Sequence, residues 1–314
     1  MGIKISGSIK KINNVSFKTI KSTFLVVGQF NNANPSIAKF NINNTLQEVS
    51  NVASKRKVFS IAIDSNNNIY LGTNDNKIIK LDKNLNTQWT FTGHSDNISS
   101  VAVDKSGNVY SGSSDNTVKK IDPNGNEIWT FSAIGGSVFS VAVDKKRNVH
   151  TGNKNNTVKK IDSNGNIVWT FTGHSDIILT VAVDKSGNVY SGSRDTTVKK
   201  IDSNSNEVWT FTGHSNTIRS LAVDKSGNVY SCGDDNTVKK IDSNGNIVWT
   251  FTGHSNDIRA LDIDTSGNVY STGNDNTIRK IDPNGNQIYS VSTNIDGAIS
   301  LAVNPGKFGA GFWF

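Results

Sequence analysis

Short runs that mix apolar, β-branched and polar residues recur along the chain about every 10 residues. In one stretch they cover 98–104, 109–113, 117–121 and 127–131. None shows the 3.6-residue period of a helix, and runs of this length and composition predict four short β-strands. The segment Asp122-Pro-Asn-Gly-Asn126 between two of them predicts a tight turn, because proline suits the second turn position and Asn-Gly tolerates positive φ.

This pattern repeats with a period of 40 residues. Near-identical copies of one phrase occupy 115–122, 155–162, 195–202, 235–242 and 275–282, and diverged copies occupy 75–82 and 31–41. A repeated four-stranded unit of this size is the sequence form of a β-propeller blade. Counting third strands predicts an all-β fold, a seven-bladed propeller of four-stranded antiparallel blades spanning residues 24–303.

The two ends of the repeat predict how the ring closes. Residues 298–303 copy a first strand but have no blade of their own after them, so we expect them to supply the inner strand of the N-terminal blade. Closure of this kind removes free sheet edges. The alternative inner strand is Asn14-Val-Ser-Phe17. The predicted organisation is an extension at 1–23, the propeller at 24–303 and an aromatic tail at 304–314, which contains Trp313.

Composition narrows the class of protein. The chain has 314 residues, a formal charge of +7 and one cysteine, Cys232, which excludes an intramolecular disulfide. The N-terminal residues show no secretory signal, and no window is apolar enough for a membrane span. These features predict a cytoplasmic or virion location.

Two families resemble the repeat. Gly173-His174-Ser175 followed by Asp195-Thr-Thr-Val-Lys-Lys-Ile-Asp202 resembles a WD repeat, with Ile201 where that family usually has tryptophan. Residues 161–169, which end in Trp169, resemble the tryptophan-docking repeat of pyrroloquinoline-quinone-type propellers. Val-Asp-x-x-Gly-Asn-Val-Tyr is also shared with NHL-type propellers. The resemblance implies the propeller fold, which hosts many functions.

The WD-repeat resemblance implies a buried hydrogen-bonded chain of His, Ser and Asp in four blades. The residues are His94, Ser111 and Asp115; His174, Ser191 and Asp195; His214, Ser231 and Asp235; and His254, Ser271 and Asp275. Ile134 with Asn155, and Asn294 with Asn31, replace both His and Asp in two other blades, and one blade keeps Asp75 alone. Joint loss fits a paired His and Asp, since an unpaired buried charge is costly. We therefore favour a structural role over a metal or catalytic one.

Other repeated residues also have structural interpretations. One tryptophan in each of five blades favours packing between blades over a sugar- or base-stacking platform. His150, in the place of a tyrosine, is interpreted as a packing variant. The Asp-x-Asn-Gly-Asn turns offer too few carboxylates for calcium. The Lys-Lys pairs, one in each of four blades, are expected to be solvated or weakly paired and not a nucleic-acid track. We predict no metal and no cofactor.

The copies differ at the start of the first strand and in the turn before the third. The resemblance places both regions on one face around the central channel. The varying residues predict a partner-binding surface with an apolar arc, Phe59, Phe139, Leu179 and Ile299, beside a basic sector, Arg194, Arg219 and Arg259. Drift at exposed positions is the alternative explanation.

These observations predict a non-catalytic scaffold that binds a protein partner. One alternative is a structural component of a phage virion or contractile tail-like particle, suggested by the basic N-terminal segment and the aromatic tail. Another is a multivalent lectin that uses the repeated tryptophans. A quinoprotein-like enzyme would need symmetry-breaking acids, bases or metal ligands near the axis, and the sequence pattern indicates none.

Overall fold

The computed structural model describes residues 24–29, 37–41, 47–52, 57–132, 135–292 and 298–304. The predicted N-terminal extension, the alternative strand at 14–17 and nearly all of the aromatic tail lie outside these ranges.

The described strands form seven four-stranded sheets, and every pairing is antiparallel. The inner strands are β28 (Ala298–Asn304), β4 (Val58–Ile63), β8 (Ile98–Val103), β12 (Val138–Val143), β16 (Ile178–Val183), β20 (Ile218–Val223) and β24 (Ile258–Ile263). The second strands are β1 (Phe24–Gln29), β5 (Ile69–Thr73), β9 (Val109–Ser113), β13 (Val149–Asn153), β17 (Val189–Ser193), β21 (Val229–Gly233) and β25 (Val269–Gly273). The third strands are β2 (Ile37–Asn41), β6 (Ile78–Leu81), β10 (Thr117–Ile121), β14 (Val158–Ile161), β18 (Val198–Ile201), β22 (Val238–Ile241) and β26 (Thr277–Ile281). The outer strands are β3 (Gln47–Val52), β7 (Thr87–Phe91), β11 (Glu127–Ser132), β15 (Ile167–Phe171), β19 (Glu207–Phe211), β23 (Ile247–Phe251) and β27 (Gln287–Ser292).

Each sheet is a blade, and we number the blades 1 to 7 in this order. Blades 2 to 7 are built from consecutive strands, so six blades lie between Val58 and Ser292. Blade 1 is composite: β28 pairs with β1, with Leu25 opposite Val303 and Val27 opposite Leu301. The predicted propeller class, the four-stranded antiparallel blade and closure by the C-terminal strand are confirmed.

The hydrophobic core lies between blades. One cluster joins Tyr70 and Ile78 of blade 2 to Ile98, Val103 and Ile121 of blade 3, and all five side chains are buried. Glycine in the second strand permits this approach. A Cβ on Gly72 would lie 2.9 Å from the Ile98 side chain. A blade therefore buries its apolar faces only against its neighbours.

A belt of hydrogen bonds joins successive inner strands. Ser60, Ser100 and Ser140 each accept, through Oγ, from a backbone N–H of the next blade at 3.0 Å; the donors are Val101, Val141 and Val181. Ser300 of blade 1 donates to the Val58 carbonyl of blade 2 at 2.9 Å. Sequence reasoning missed this belt, although serine recurs at the third position of most first strands.

The turns before the outer strands have their own internal acceptor. The Asp122 carboxylate accepts from the Asn124 and Asn126 N–H groups and from the Asn126 side-chain amide. Gly125 has φ of +93°. The carboxylate is thus occupied within its own turn, which supports the turn interpretation of Asp-x-Asn-Gly-Asn over a calcium loop.

Among the described residues, no helix has the length and apolar character needed to cross a membrane.

We expect Ser205→Gly to raise the free energy of unfolding by about 1 kcal/mol. Ser205 adopts φ of +75° in the turn where blades 3, 4, 6 and 7 place glycine, and side chains with a Cβ are strained there. Urea denaturation measures the change. Gly245→Ser, the reverse change in blade 6, should lower stability, and equal stability of both variants and the wild type would contradict the strain.

Candidate functional site

The residues that vary at the start of the first strand converge on one place. Each is the second residue of its inner strand, and together they line a single cavity in the central channel: Phe59, Ser99, Phe139, Leu179, Arg219, Arg259 and Ile299. All seven are half-buried. We call these seven residues the channel mouth. The cavity has a volume of about 140 Å³. Six of the seven predicted partner-binding residues are therefore brought together.

Arg194, the seventh predicted residue, does not line this cavity. It lies exposed in the turn between β17 and β18, where its backbone N–H donates to the Ile177 carbonyl at 2.9 Å.

The two arginines of the channel mouth are paired with acids. Arg219 Nε donates to Asp234 Oδ1 at 2.9 Å and Nη2 donates to Asp234 Oδ2 at 2.5 Å, a bidentate pair. Arg259 contacts Asp234 at 3.5 Å and Asp257 at 3.0 Å. Two positive and two negative charges cancel, so the predicted basic sector is wrong as a description of charge. The arginines form a fixed, polar but neutral side of the mouth.

An acid near the channel axis was also missed. Asp262 lines the same cavity and is only 4% exposed. Its Oδ2 accepts from the Val303 N–H of blade 1 at 2.9 Å, and its Oδ1 accepts from the Ile263 N–H at 2.8 Å. Burial raises the pKa of Asp262 from 3.8 to about 7, and the nearby Asp264 charge adds to this, although the two backbone hydrogen bonds oppose it. The sequence alone distinguishes this residue, because the other six inner strands have alanine at the position of Asp262.

The structure brings together the four predicted His, Ser and Asp sets. His174 Nδ1 lies 2.7 Å from Asp195 Oδ2, and its Nε2 lies 2.8 Å from Ser191 Oγ. His94, His214 and His254 make the same contacts at 2.7–2.8 Å. Burial opposes ionisation of Asp195, but hydrogen bonds from His174 and Thr197 hold its pKa well below the ordinary value. Because each set lies within its own blade, the four histidines do not converge on one centre.

Blade 2, which keeps Asp75 without a histidine, has a different partner for the carboxylate. Lys77 Nζ lies 2.7 Å from Asp75 Oδ2, and Thr73 Oγ1 donates to Oδ1 at 2.6 Å. A lysine thus contacts the carboxylate that a histidine contacts in blades 3, 5, 6 and 7. Blade 4 has the neutral Asn155 at this position and so needs no counter-charge. Thr157 Oγ1 donates to the Asn155 side-chain oxygen at 2.7 Å.

The tryptophans dock against the turn of the next blade. Trp129 Nε1 donates to the Ser163 carbonyl at 3.1 Å, and a Cβ on Gly165 would lie 3.3 Å from the indole. Trp89, Trp169, Trp209 and Trp249 make equivalent bonds at 3.0–3.1 Å. His150 is fully buried 5.8 Å from the Trp169 ring, where other blades have tyrosine. These contacts favour packing for both residue types.

The expectation of solvated Lys-Lys pairs is wrong for the first lysine of each pair, which is buried, whereas the second is buried in blade 3 and half-buried in blades 4 to 6. Lys119 and Lys120 are each 8% exposed. Lys119 donates to Glu127 at 3.0 Å, and Lys120 donates to the Ser163 carbonyl at 3.2 Å with its ammonium 5.5 Å from the centre of the Tyr110 ring. Within the described ranges, no cluster of His, Cys, Asp and Glu could hold a metal ion.

Comparisons with known proteins agree with this geometry. The family model "WD domain, G-beta repeat" matches residues 85–122, 205–242 and 245–282. The model "Outer membrane protein assembly factor BamB" matches residues 114–217. A solved structure, "Crystal structure of WD40 beta propeller domain of Doa1", is similar with a TM-score of 0.72 and 22% identity, over 80% of this chain and 86% of that one. No curated protein matches the chain.

The blades and their ring define the chain as a β-propeller. Three of its repeats are similar to the WD repeat, and a segment is also similar to the BamB-type repeat, which supports a WD-repeat-like propeller.

We expect a double-mutant cycle on His174 and Asp195 to reveal strong coupling. Each single change to alanine should lower the free energy of unfolding by about 1–3 kcal/mol, because it leaves a buried polar partner unsatisfied. The double variant should lose less than the sum, by about 1 kcal/mol or more. Urea denaturation of the four proteins measures this, and strict additivity would show that the pair does not act as a unit.

The contribution of Asp262 to the free energy of unfolding should fall as pH rises from about 4 to about 7. In this window the folded state keeps a proton on Asp262 that the unfolded state has released, so raising the pH favours unfolding through this group, by roughly 4 kcal/mol at most. Asp262→Asn keeps an acceptor for the Val303 N–H but does not titrate. Urea denaturation at pH 5 and pH 8 should show that the variant gains stability relative to the wild type at pH 8 compared with pH 5, and the same change with pH in both proteins would contradict the assignment.

Proposed function

We propose that this propeller is a non-catalytic interaction module that binds a partner protein at the channel mouth. The observation that carries the proposal is the convergence of the varying positions on one cavity, while the residues of the blade frame are copied. WD-repeat propellers typically serve as protein-interaction scaffolds, which agrees with the proposal.

The composition of the channel mouth supports a protein partner. Phe59, Phe139, Leu179 and Ile299 are half-buried apolar side chains on one arc, and they would lose their remaining exposure on contact. Arg219 is held by Asp234 in one geometry, so little side-chain entropy would be lost when it contacts a partner. Aromatic residues and arginine are the usual centres of binding energy at protein interfaces.

The alternatives have less support. The tryptophan indoles are docked against the next blade, which disfavours a lectin that stacks sugars on them. The lysines of the Lys-Lys pairs are largely buried, which disfavours a nucleic-acid track. A place in a phage virion or tail-like particle stays a hypothesis, because the terminal segments that suggested it lie outside the described residues.

We expect Phe59→Ser with Phe139→Ser to reduce partner capture at least about tenfold. Serine is the residue that blade 3 already has at this position, Ser99, so the frame should tolerate it, while two apolar contacts are lost. Quantitative mass spectrometry of proteins retained from an extract of the source cells, on wild type and variant side by side, measures the change.

Ile128→Ser with Ile288→Ser is the matched control, since it removes two exposed apolar side chains from outer strands and not from the mouth. This control should retain the same proteins as the wild type. If the channel-mouth variant retains them equally well, and melts at the same temperature, binding at the mouth is wrong.

A further inference from the structure

In blades 3 and 5, a lysine of the third strand and a threonine of the outer strand hold one carboxylate. Lys119 Nζ donates to Glu127 Oε2 at 3.0 Å and to Thr130 Oγ1 at 2.7 Å. The Thr130 hydroxyl donates to the other oxygen, Glu127 Oε1. Lys199, Thr210 and Glu207 repeat this arrangement. We call the lysine and threonine the carboxylate cradle.

Blades 4 and 6 contain the cradle without the carboxylate. Lys159 lies opposite Thr170 in the same register as Lys119 and Thr130, but Ile167 takes the place of the glutamate. Lys239, Thr250 and Ile247 are the equivalents in blade 6.

The cradle lysines of these two blades lack a counter-charge. Lys159 is 7% exposed and makes no hydrogen bond through its ammonium within the described part of the chain. Lys239 reaches Thr250 at 3.4 Å. Burial lowers the pKa of Lys159. The ammonium of Lys159 is not fully enclosed, so a ligand can approach it. A largely buried cation without a counter-charge favours an incoming anion.

In blades 2 and 7 the cation and its acceptor are absent or present together. In blade 7, Arg279 Nη1 donates to Gln287 Oε1 at 2.6 Å. In blade 2, the equivalent positions are Ile79 and Thr87, with neither a cation nor a carboxylate. Blades 4 and 6 differ from both, since they have the cation but an isoleucine at the position of Glu127.

The same two blades present an apolar edge. β15 and β23 are the last strands of their sheets, and no described strand pairs with their far edges. Ile167 and Val168 are 51% and 53% exposed, and Ile247 and Val248 are 49% and 53% exposed. A free strand edge is a template for an extended segment. A segment paired there would lie about 4.8 Å from the outer strand and roughly 10 Å from the third strand, a gap that a glutamate side chain and the lysine side chain can span together.

We propose that the outer edges of blades 4 and 6 bind an extended acidic segment of a partner protein, whose carboxylates occupy the two empty cradles while its apolar residues cover Ile167, Val168, Ile247 and Val248. The two sites are separated by one blade, so one partner with two such segments, or two partners, would fit. This surface is separate from the channel mouth.

Fluorescence anisotropy with a short labelled peptide that alternates valine and glutamate tests the proposal, with the valine–glutamine peptide as its neutral counterpart. The wild-type protein should bind the glutamate peptide at least about tenfold more tightly, because a carboxylate pairs its negative charge with the lysine ammonium and a glutamine amide does not. Ile167→Glu with Ile247→Glu should weaken glutamate-peptide binding at least about tenfold, since the protein's own carboxylates then fill both cradles. Blades 3 and 5 show that the fold accommodates glutamate there.

Ile128→Glu with Val208→Glu is the matched control. It adds the same charge to outer strands whose cradles are already filled, and it should bind the glutamate peptide within about twofold of the wild type. Lys159→Met with Lys239→Met keeps the aliphatic stems and should abolish the preference for glutamate over glutamine. The proposal is overturned if the wild type does not bind the glutamate peptide, if both glutamate variants bind alike, or if the methionine variant keeps the preference.

Discussion

The structure depends on contacts that reach from each blade to the next. A four-stranded sheet with two apolar faces cannot be buried alone, so each blade needs a neighbour on both sides. Ser60 near the axis and Trp89 at the rim both bond to backbone groups of blade 3, and blades 3, 4 and 6 repeat both links in the same direction. Near-identical copies follow from this constraint, because every interface must accept the same partner surface.

Ring closure is the place where the copied links change. Blade 7 has Ala260 at the position where most blades have the serine of the belt. Two residues further on, the Asp262 carboxylate accepts a hydrogen bond from a backbone N–H of blade 1 instead. Blade 1 is assembled from both ends of the chain, so this interface joins segments that meet only when the ring is complete. A carboxylate there couples closure of the ring to protonation, since the buried acid favours its neutral form.

Much of the fold could be predicted from the sequence because the repeat compares the chain with itself. The predicted strands at 109–113 and 117–121 match β9 and β10 at both ends. The electrostatic partners could not be predicted so well. Asp234 is peculiar to blade 6, and arginine at the position of Arg219 recurs only in blade 7, but only the register of β20 against β21 places Arg219 beside Asp234. Lys119 and Lys120 looked solvated because burial of a lysine stem against Tyr110 depends on packing that a pattern of charges does not show.

The two proposed binding surfaces lie at positions where the residues differ between blades, and not among the copied residues that hold the blades together. At the channel mouth, serine, phenylalanine, leucine, isoleucine and arginine all occur at one structural position, where the side chain is only half-buried. On the outer strands of blades 3 to 6, glutamate and isoleucine alternate at one position, while the neighbouring lysine of the third strand is the same in all four blades. The first kind of variation changes the shape of a surface. The second determines whether a buried lysine has a carboxylate partner within the chain. A lysine without that partner favours an anionic ligand, whereas an apolar patch alone favours any apolar surface of matching size.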